Sequence, residues 1–537
     1  MSRKGVWPIL LVGLLVATAG CGLGDLAVRQ ATDTELPPAP QPTAAIGQIV
    51  VETVVVEKLV EAEVGAPAPA GERMGLPEEA PGAMFFEGYG VNPFVEAGTD
   101  PLSTFALDVD TGSYTIARRY VQDGNLPPPE AIRVEEFVNY FDPGYDLPSE
   151  QDVFAIHLDG APFPFGETEN SRVLRVGIQG YAVPPEERKD VSLTFVIDVS
   201  GSMAQENRLG LVKRSLELLV EQLGPQDSVG IVVYGSQARV VLEPTPGSDQ
   251  VTILEAITRL QPEGSTNAEA GLRLGYERAN GAFLPGGINR VILCSDGVAN
   301  VGQTGPDSIW EQISGYASEG ITLTSVGFGM GNYNDVLMER LADQGDGFYA
   351  YVDTLAEAER LFVHGLTGTL QAIAMDAKVQ VDFNPDVVAR YRLLGFENRA
   401  IADEQFRDDT VDAGEIGAGH SVTALYEVEL VPEAEGRLAT VHLRWRDPDT
   451  AEVMEIGQDL GTADLSPSFN QANPHLQCAV AVAEYAEVLR GSEFAGGNTL
   501  AGVLEEAERV AELLPEDDDV TEFVVLVRQA SRIAAGE

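Results

Sequence analysis

A chain of 537 residues is long enough for several domains, each able to bury its own core. Its 84 acidic and 34 basic residues leave a formal charge of −50 at pH 7, so there is no basic stripe to release phosphate counterions, and nucleic acid is excluded as an expected partner. Beyond the N-terminal leader no stretch approaches the roughly 20 apolar residues of a membrane helix, so no later membrane span is expected.

Residues 1–20 read as an export signal, in which Arg3 and Lys4 precede an apolar core from Trp7 to Val16 that is short for a bilayer span. Thr18-Ala19-Gly20-Cys21 resembles a bacterial lipoprotein cleavage box. The resemblance implies that Cys21 becomes an acylated N-terminus and anchors the protein outside the cytoplasm, on the cell membrane or on an outer membrane where there is one. Residues 21–80, acidic and rich in Pro and Ala, cannot build a core and read as a tether.

From 88 to 190 the composition turns globular. Strands are expected at Ser103 to Asp108, Val153 to Leu158 and Val173 to Gln179, with helices at Tyr114 to Gln122 and Glu130 to Phe141. Asp108-Val109-Asp110-Thr111-Gly112-Ser113 looks like an aspartic protease loop, but that chemistry needs a second such carboxylate, and none follows. It also lacks the later glutamate of a helix-loop-helix Ca²⁺ site. The expectation is a strand-to-helix turn capped by Asp110, Thr111 or Ser113.

Between 191 and 366, strands and helices alternate at the spacing of a doubly wound sheet. Leu193 to Ile197, five apolar or β-branched residues in a row, reads as a strand buried on both faces, as central parallel strands are. It is followed by a helix from Arg208 to Leu223, strands at Ser228 to Tyr234 and Ala238 to Leu242, and a helix from Asp249 to Leu260. Next come a helix from Asn267 to Asn280 with Asn267 as N-cap, and a second buried strand ending near Asp296. The segment closes with helices at Pro306 to Ser318 and Asn334 to Ala342 and strands at Ile321 to Phe328 and Gly347 to Val352.

Residues 367–537 suggest antiparallel strands at Ala377 to Asp382, His420 to Val431, Ala439 to Trp445 and Glu452 to Leu460, then three helices. The first helix is capped by Asn473-Pro474, the second by Asn498, and the third begins near Val520 behind the acidic run Glu516 to Asp519. Strands before and after 191–366 are expected to pair, making the doubly wound part an insertion in a β-rich frame. The fold class is therefore α/β: a doubly wound, mostly parallel, Rossmann-like sheet flanked by β-rich and α-helical modules. Cys294 and Cys478 are expected to be buried, unpaired thiols, with a disulfide between them as the alternative in an exported protein.

The chemistry concentrates in Asp198-Val199-Ser200-Gly201-Ser202, a turn after a buried strand, where open α/β sheets place their sites. One carboxylate and two hydroxyls on alternate residues can converge on a hard cation that prefers oxygen. Thr266 in Gly264-Ser265-Thr266-Asn267 and Asp296 in Ser295-Asp296-Gly297 supply further oxygens from later loops. Together Asp198, Ser200, Ser202, Thr266 and Asp296 resemble the metal-ion-dependent adhesion site of von Willebrand factor type A (VWA) domains. That resemblance implies a divalent cation, Mg²⁺ first with Mn²⁺ or Ca²⁺ as alternatives. It also implies that the hydroxyls touch the metal while the two aspartates orient its waters. The segments STFALDVDTGSY and LPPPEAIRVEEFVNYFD, with the region after 367, resemble the flanks of a three-part family of bacterial VWA lipoproteins.

The implied function is capture of a protein partner that offers Asp or Glu to the metal. The alternative is a structural or assembly role in a cell-envelope complex, with the metal site filled by the protein's own flanks or by a fixed partner. An enzyme is not expected: His157, His364, His420, His442 and His475 are scattered without metal-ligand spacing, and no Gly-x-Ser-x-Gly elbow or phosphate loop occurs.

Overall fold

The computed structural model describes residues 86–537 apart from 150, 167, 185–186, 206–207, 298–305, 330–332, 412 and 537. The expected signal peptide, Cys21 and the tether all lie outside the described residues.

In chain order, the part before the insertion contains β1 (Val95–Glu96), β2 (Leu102–Ala106), α1 (Gly112–Gln122), α2 (Val134–Val138), β3 (Phe154–Pro162) and β4 (Ser171–Gly180). The insertion follows with β5 (Val191–Asp198), α3 (Leu209–Glu221), β6 (Ser228–Tyr234), β7 (Ala238–Pro246), α4 (Gln250–Thr258), α5 (Ala268–Gly281) and β8 (Ile288–Ser295). It ends with α6 (Pro306–Ser318), β9 (Ile321–Phe328), α7 (Asp335–Asp343), β10 (Tyr349–Val352), α8 (Leu355–Glu359) and α9 (Leu366–Leu370). After it come β11 (Ala372–Phe383), β12 (Val388–Leu394), β13 (Gly414–Gly417), β14 (Ser421–Leu430), β15 (Arg437–Arg446), β16 (Val453–Gly461), α10 (Pro474–Leu489), α11 (Leu500–Leu513) and α12 (Asp518–Ala535).

The inserted sheet has the order β10-β9-β8-β5-β6-β7 and is parallel except for its edge strand β7. Every residue of β5 is buried, because the strand lies between β6 and β8 with helices over both faces. On one face pack Leu211, Leu216 and Leu219 of α3 with Ile253 and Ile257 of α4. On the other lie Leu272 and Tyr276 of α5 and Met338 and Leu341 of α7, joined by Ile116 and Tyr120 of α1. Gly275 of α5 meets β5 so closely that a Cβ there would stand 2.3 Å from Val196 Cγ2.

The flanks form one frame. β4, before the insertion, pairs along its length with β14, after it, in a sheet of order β1-β12-β14-β4-β3. β2 likewise pairs with β11 in the facing sheet. The two sheets enclose a core in which Phe383 stacks on Tyr391 with centroids 4.2 Å apart. The outer face of the first sheet carries α10, α11 and α12 together with α1 and α2, around Tyr485 and Phe523. The expected pairing of strands across the insertion is what the chain adopts, and the two sheets and the helical layer bury one another's apolar faces.

Several local expectations are corrected. The helix expected from Glu130 to Phe141 is broken at Ile132 and Arg133, where the chain is extended. There the backbone N–H of Arg133 donates to Ser113 Oγ, and its guanidinium is buried among Glu136, Asp335 and Glu339. The turn into α1 carries no cap from Asp110 or Thr111; instead Glu136 Oε2 accepts the N–H of Ser113 at 2.7 Å. Thr499, not Asn498, caps α11, since the Asn498 amide donates to Glu484 Oε1 at 2.8 Å. β12 and β13 were not anticipated. In β12 the signal is masked because Arg392, 2 % exposed, sits where an apolar residue would be and binds Glu427 and Glu487. Cys294 and Cys478 are buried free thiols, as expected.

Buried ion pairs bind insertion to frame. Arg118 of α1 donates to Asp353 at 2.6 and 2.9 Å, to Glu357 at 3.1 Å and to the Tyr140 hydroxyl at 2.6 Å. Arg399 reaches Asp108 on one side and Glu339 and Asp343 on the other. No helix among the described residues is long and apolar enough to cross a membrane.

Candidate metal centre

β5 delivers Asp198 to the C-terminal edge of the parallel sheet, and the chain turns there because the aspartate accepts hydrogen bonds from its own loop. The N–H of Ser200 donates to Asp198 Oδ1 at 2.7 Å. One turn later the hydroxyls of Ser200 and Ser202 share a hydrogen bond of 3.0 Å. β8 runs beside β5 in parallel, so Asp296, the residue after β8, arrives at the same edge. The Ser295 hydroxyl donates to Asp198 Oδ2 at 3.3 Å and accepts the N–H of Gly297 at 3.1 Å, which stitches the two loops together.

The third loop is held by backbone. Gly264, with φ +75°, offers its carbonyl to the N–H of Gly201 at 3.1 Å, and the N–H of Glu263 donates to Val199 O at 2.5 Å. Thr266 follows this clamp, half-buried, one residue before Asn267, whose Oδ1 caps α5 through the N–H of Ala270. The structure thus brings Asp198, Ser200, Ser202 and Asp296 together and sets the Thr266 loop against them. Among the described residues no hydrogen bond joins Thr266 itself to the other four.

The floor of this site is dry and its rim is wet. Asp198, Ser200 and Asp296 are at most 2 % exposed, Ser202 is half-buried, and Gly201, Gly264 and Ser265 are exposed. Burial, and after it the neighbouring Asp296, pushes the Asp198 carboxyl up to about 6. Asp296 is used on one side only. Its Oδ2 accepts from Arg208 Nη1 at 2.8 Å, whereas Oδ1 is buried and has no hydrogen-bond partner. A buried carboxylate oxygen with no donor is costly unless something else satisfies it. Two carboxylates and nearby hydroxyls, one oxygen orphaned, fit a hard divalent cation by ligand type. Among the described residues, this site included, no three His, Cys, Asp or Glu side chains cluster as metal ligands, so a cation here would rest on two carboxylates and on hydroxyls.

Two participants were not anticipated. Ser295 precedes Asp296 and bridges the two loops, and Arg208, which the periodicity places at the start of a helix, pairs with Asp296. The signal for Arg208 was a lone basic residue just before α3, which carries no message until the fold brings it to Asp296.

Residues 193–298, which hold all five candidate ligands, match the von Willebrand factor type A domain family. Residues 81–175 match a family described as von Willebrand factor, and residues 368–437 and 429–533 match the C-terminal domain of uncharacterized protein YfbK. Uncharacterized protein YfbK of Escherichia coli (strain K12) is 39 % identical over 440 residues, covering 77 % of this chain and 75 % of the relative. The chain belongs to the YfbK family. Uncharacterized protein sll0103 of Synechocystis is 28 % identical to this YfbK-family chain over 198 residues, 37 % of the chain and 46 % of the relative. Human inter-alpha-trypsin inhibitor heavy chain H3 is 29 % identical over 178 residues, 32 % of the chain and 19 % of the relative, so the chain spans less than half of either. A solved von Willebrand factor type A protein from Catenulispora acidiphila aligns with a TM-score of 0.42 at 15 % identity, covering 72 % of the YfbK-family chain and 91 % of its own. The VWA domain supports a protein-interaction or adhesion-type role for this member of the YfbK family.

Proposed function

We propose that this protein is a lipid-anchored extracytoplasmic receptor whose VWA domain captures a protein partner through a metal-bridged carboxylate. The observation that carries the reading is the orphaned, buried Oδ1 of Asp296 at the same sheet edge as Asp198 and the Ser200–Ser202 hydroxyl pair. Mg²⁺ is the favoured cation, with Mn²⁺ or Ca²⁺ as alternatives, and when bound it offers a coordination position to an incoming Asp or Glu. Asp198 and Asp296 supply its counter-charge, Ser200, Ser202 and Thr266 supply neutral oxygens, and the exposed rim leaves a partner room to approach. The net charge of −50 repels an acidic partner at long range, but at about 0.15 M salt that repulsion fades beyond roughly 8 Å, so binding is decided at contact. Anchoring rests on Thr18-Ala19-Gly20-Cys21, with residues 21–80 as the spacer. The reading includes no catalytic step.

Calorimetric titration of Mg²⁺ and Mn²⁺ into the full chain in detergent, native and Asp198→Ala, tests the site. The expected outcome is saturable binding that the substitution abolishes. Arrayed Asp- and Glu-containing peptides should then bind only in the metal-loaded state. Binding that persists in chelator, or a native protein that takes up no metal, refutes the proposal.

A further inference from the structure

Arg208 is 1 % exposed, and its stem runs so close to Gly329, at φ +82°, that a Cβ on that glycine would stand 2.4 Å from Arg208 Cγ. From this fixed stem a single nitrogen, Nη1, donates both to Ser202 O at 3.0 Å and to Asp296 Oδ2 at 2.8 Å. The guanidinium therefore ties the first loop of the site to the second and supplies a buried positive charge to one of its two aspartates. Two buried carboxylates facing each other without a cation would repel in a poorly screened place. Here Asp296 has Arg208, and Asp198 has the Ser200 N–H and the Ser295 hydroxyl. The same cation opposes any divalent ion that would use the other oxygen of Asp296.

We propose that Arg208 is a built-in counter-ion that lets the domain fold without its metal while weakening the metal's hold, so that the site loads and unloads on a preformed fold. The inference rests on the metal-binding reading above and adds to it a residue that sets affinity. A structural residue would lower stability and metal affinity together when removed. A counter-ion lowers the stability of the metal-free state and raises metal affinity.

The test compares the full chain with Arg208→Met, which removes the charge, Arg208→Gln, which keeps a donor without the charge, and Arg208→Lys, which keeps the charge. Each is measured by thermal unfolding in EDTA and in Mg²⁺, and by Mg²⁺ calorimetry. Met and Gln should melt lower in EDTA, gain more on adding Mg²⁺, and bind it about tenfold or more tightly, as expected for removing a unit charge beside a divalent ion. Lys should track the native protein. Native binding that Met and Gln leave unchanged or weaken, or a Met or Gln chain that Mg²⁺ fails to restore, overturns this inference alone. No Mg²⁺ binding by any of the four proteins overturns the metal reading and this inference with it.

Discussion

Replacing Asp198 by Asn separates the cost of the aspartate from its use. In the metal-free protein the Asp198 carboxyl is raised to about 6 by burial and by Asp296, against an ordinary aspartate near 4. A carboxyl raised on folding contributes stability that is fully present below its unfolded value and is lost as pH climbs through about 6. The loss is roughly 3 kcal/mol at about 1.4 kcal/mol per pH unit. Asn cannot ionise and escapes that loss, but its amide meets a Ser295 hydroxyl that now donates to Asp198 Oδ2, at a cost of about 1 kcal/mol. In EDTA, Asp198→Asn should be about 1 kcal/mol less stable than the native protein at pH 4 and about 2 kcal/mol more stable at pH 8. Urea unfolding followed by circular dichroism at the two pH values reads the difference directly. Saturating Mg²⁺ at pH 8 should reverse the order, because a ligand at about 100 times its Kd adds roughly 2.7 kcal/mol to the native protein only. A stability difference that is the same at pH 4 and pH 8 would refute the reasoning about the buried pair.

Arg118→Met strands Asp353 and Glu357 without their cation at the junction of insertion and frame, and should cost about 3–5 kcal/mol in the urea midpoint, with Arg118→Lys recovering part of it. Burial pushes Glu484 of α10 up to about 8, so its stabilising contribution fades as pH rises from the ordinary glutamate range through about 8. Glu484→Gln should therefore gain melting temperature over the native protein progressively between pH 5 and pH 8, and a pH-independent offset would count against the burial argument. Cys21→Ser should end incorporation of labelled palmitate in a bacterial host and release the protein from sedimented membranes; continued labelling would rule out Cys21 as the anchor.

The sequence by itself determined the elements whose physics is local. Leu193 to Ile197 is a run of five apolar or β-branched residues, and a strand buried on both faces is the way such a run escapes water. Asn267 and Asn473 cap helices because their side chains reach backbone N–H groups within the same turn. The alternation of strands and helices was likewise legible from spacing. What only the tertiary structure decided depends on residues far apart in the chain. That strands pair across the insertion was expected, but that β4 joins β14, and in which register, is written in neither strand. Glu136 caps α1 from another element, and the Asn498 amide turns to Glu484, leaving Thr499 to cap α11. Arg392 in β12 reads as a surface residue until Glu427 and Glu487 close on it from two other elements. Arg208 is the same case at the candidate metal centre: its charge is written in the sequence, but its use depends on a parallel sheet that sets Asp296 beside Ser202, and long-range electrostatics has no local pattern to read.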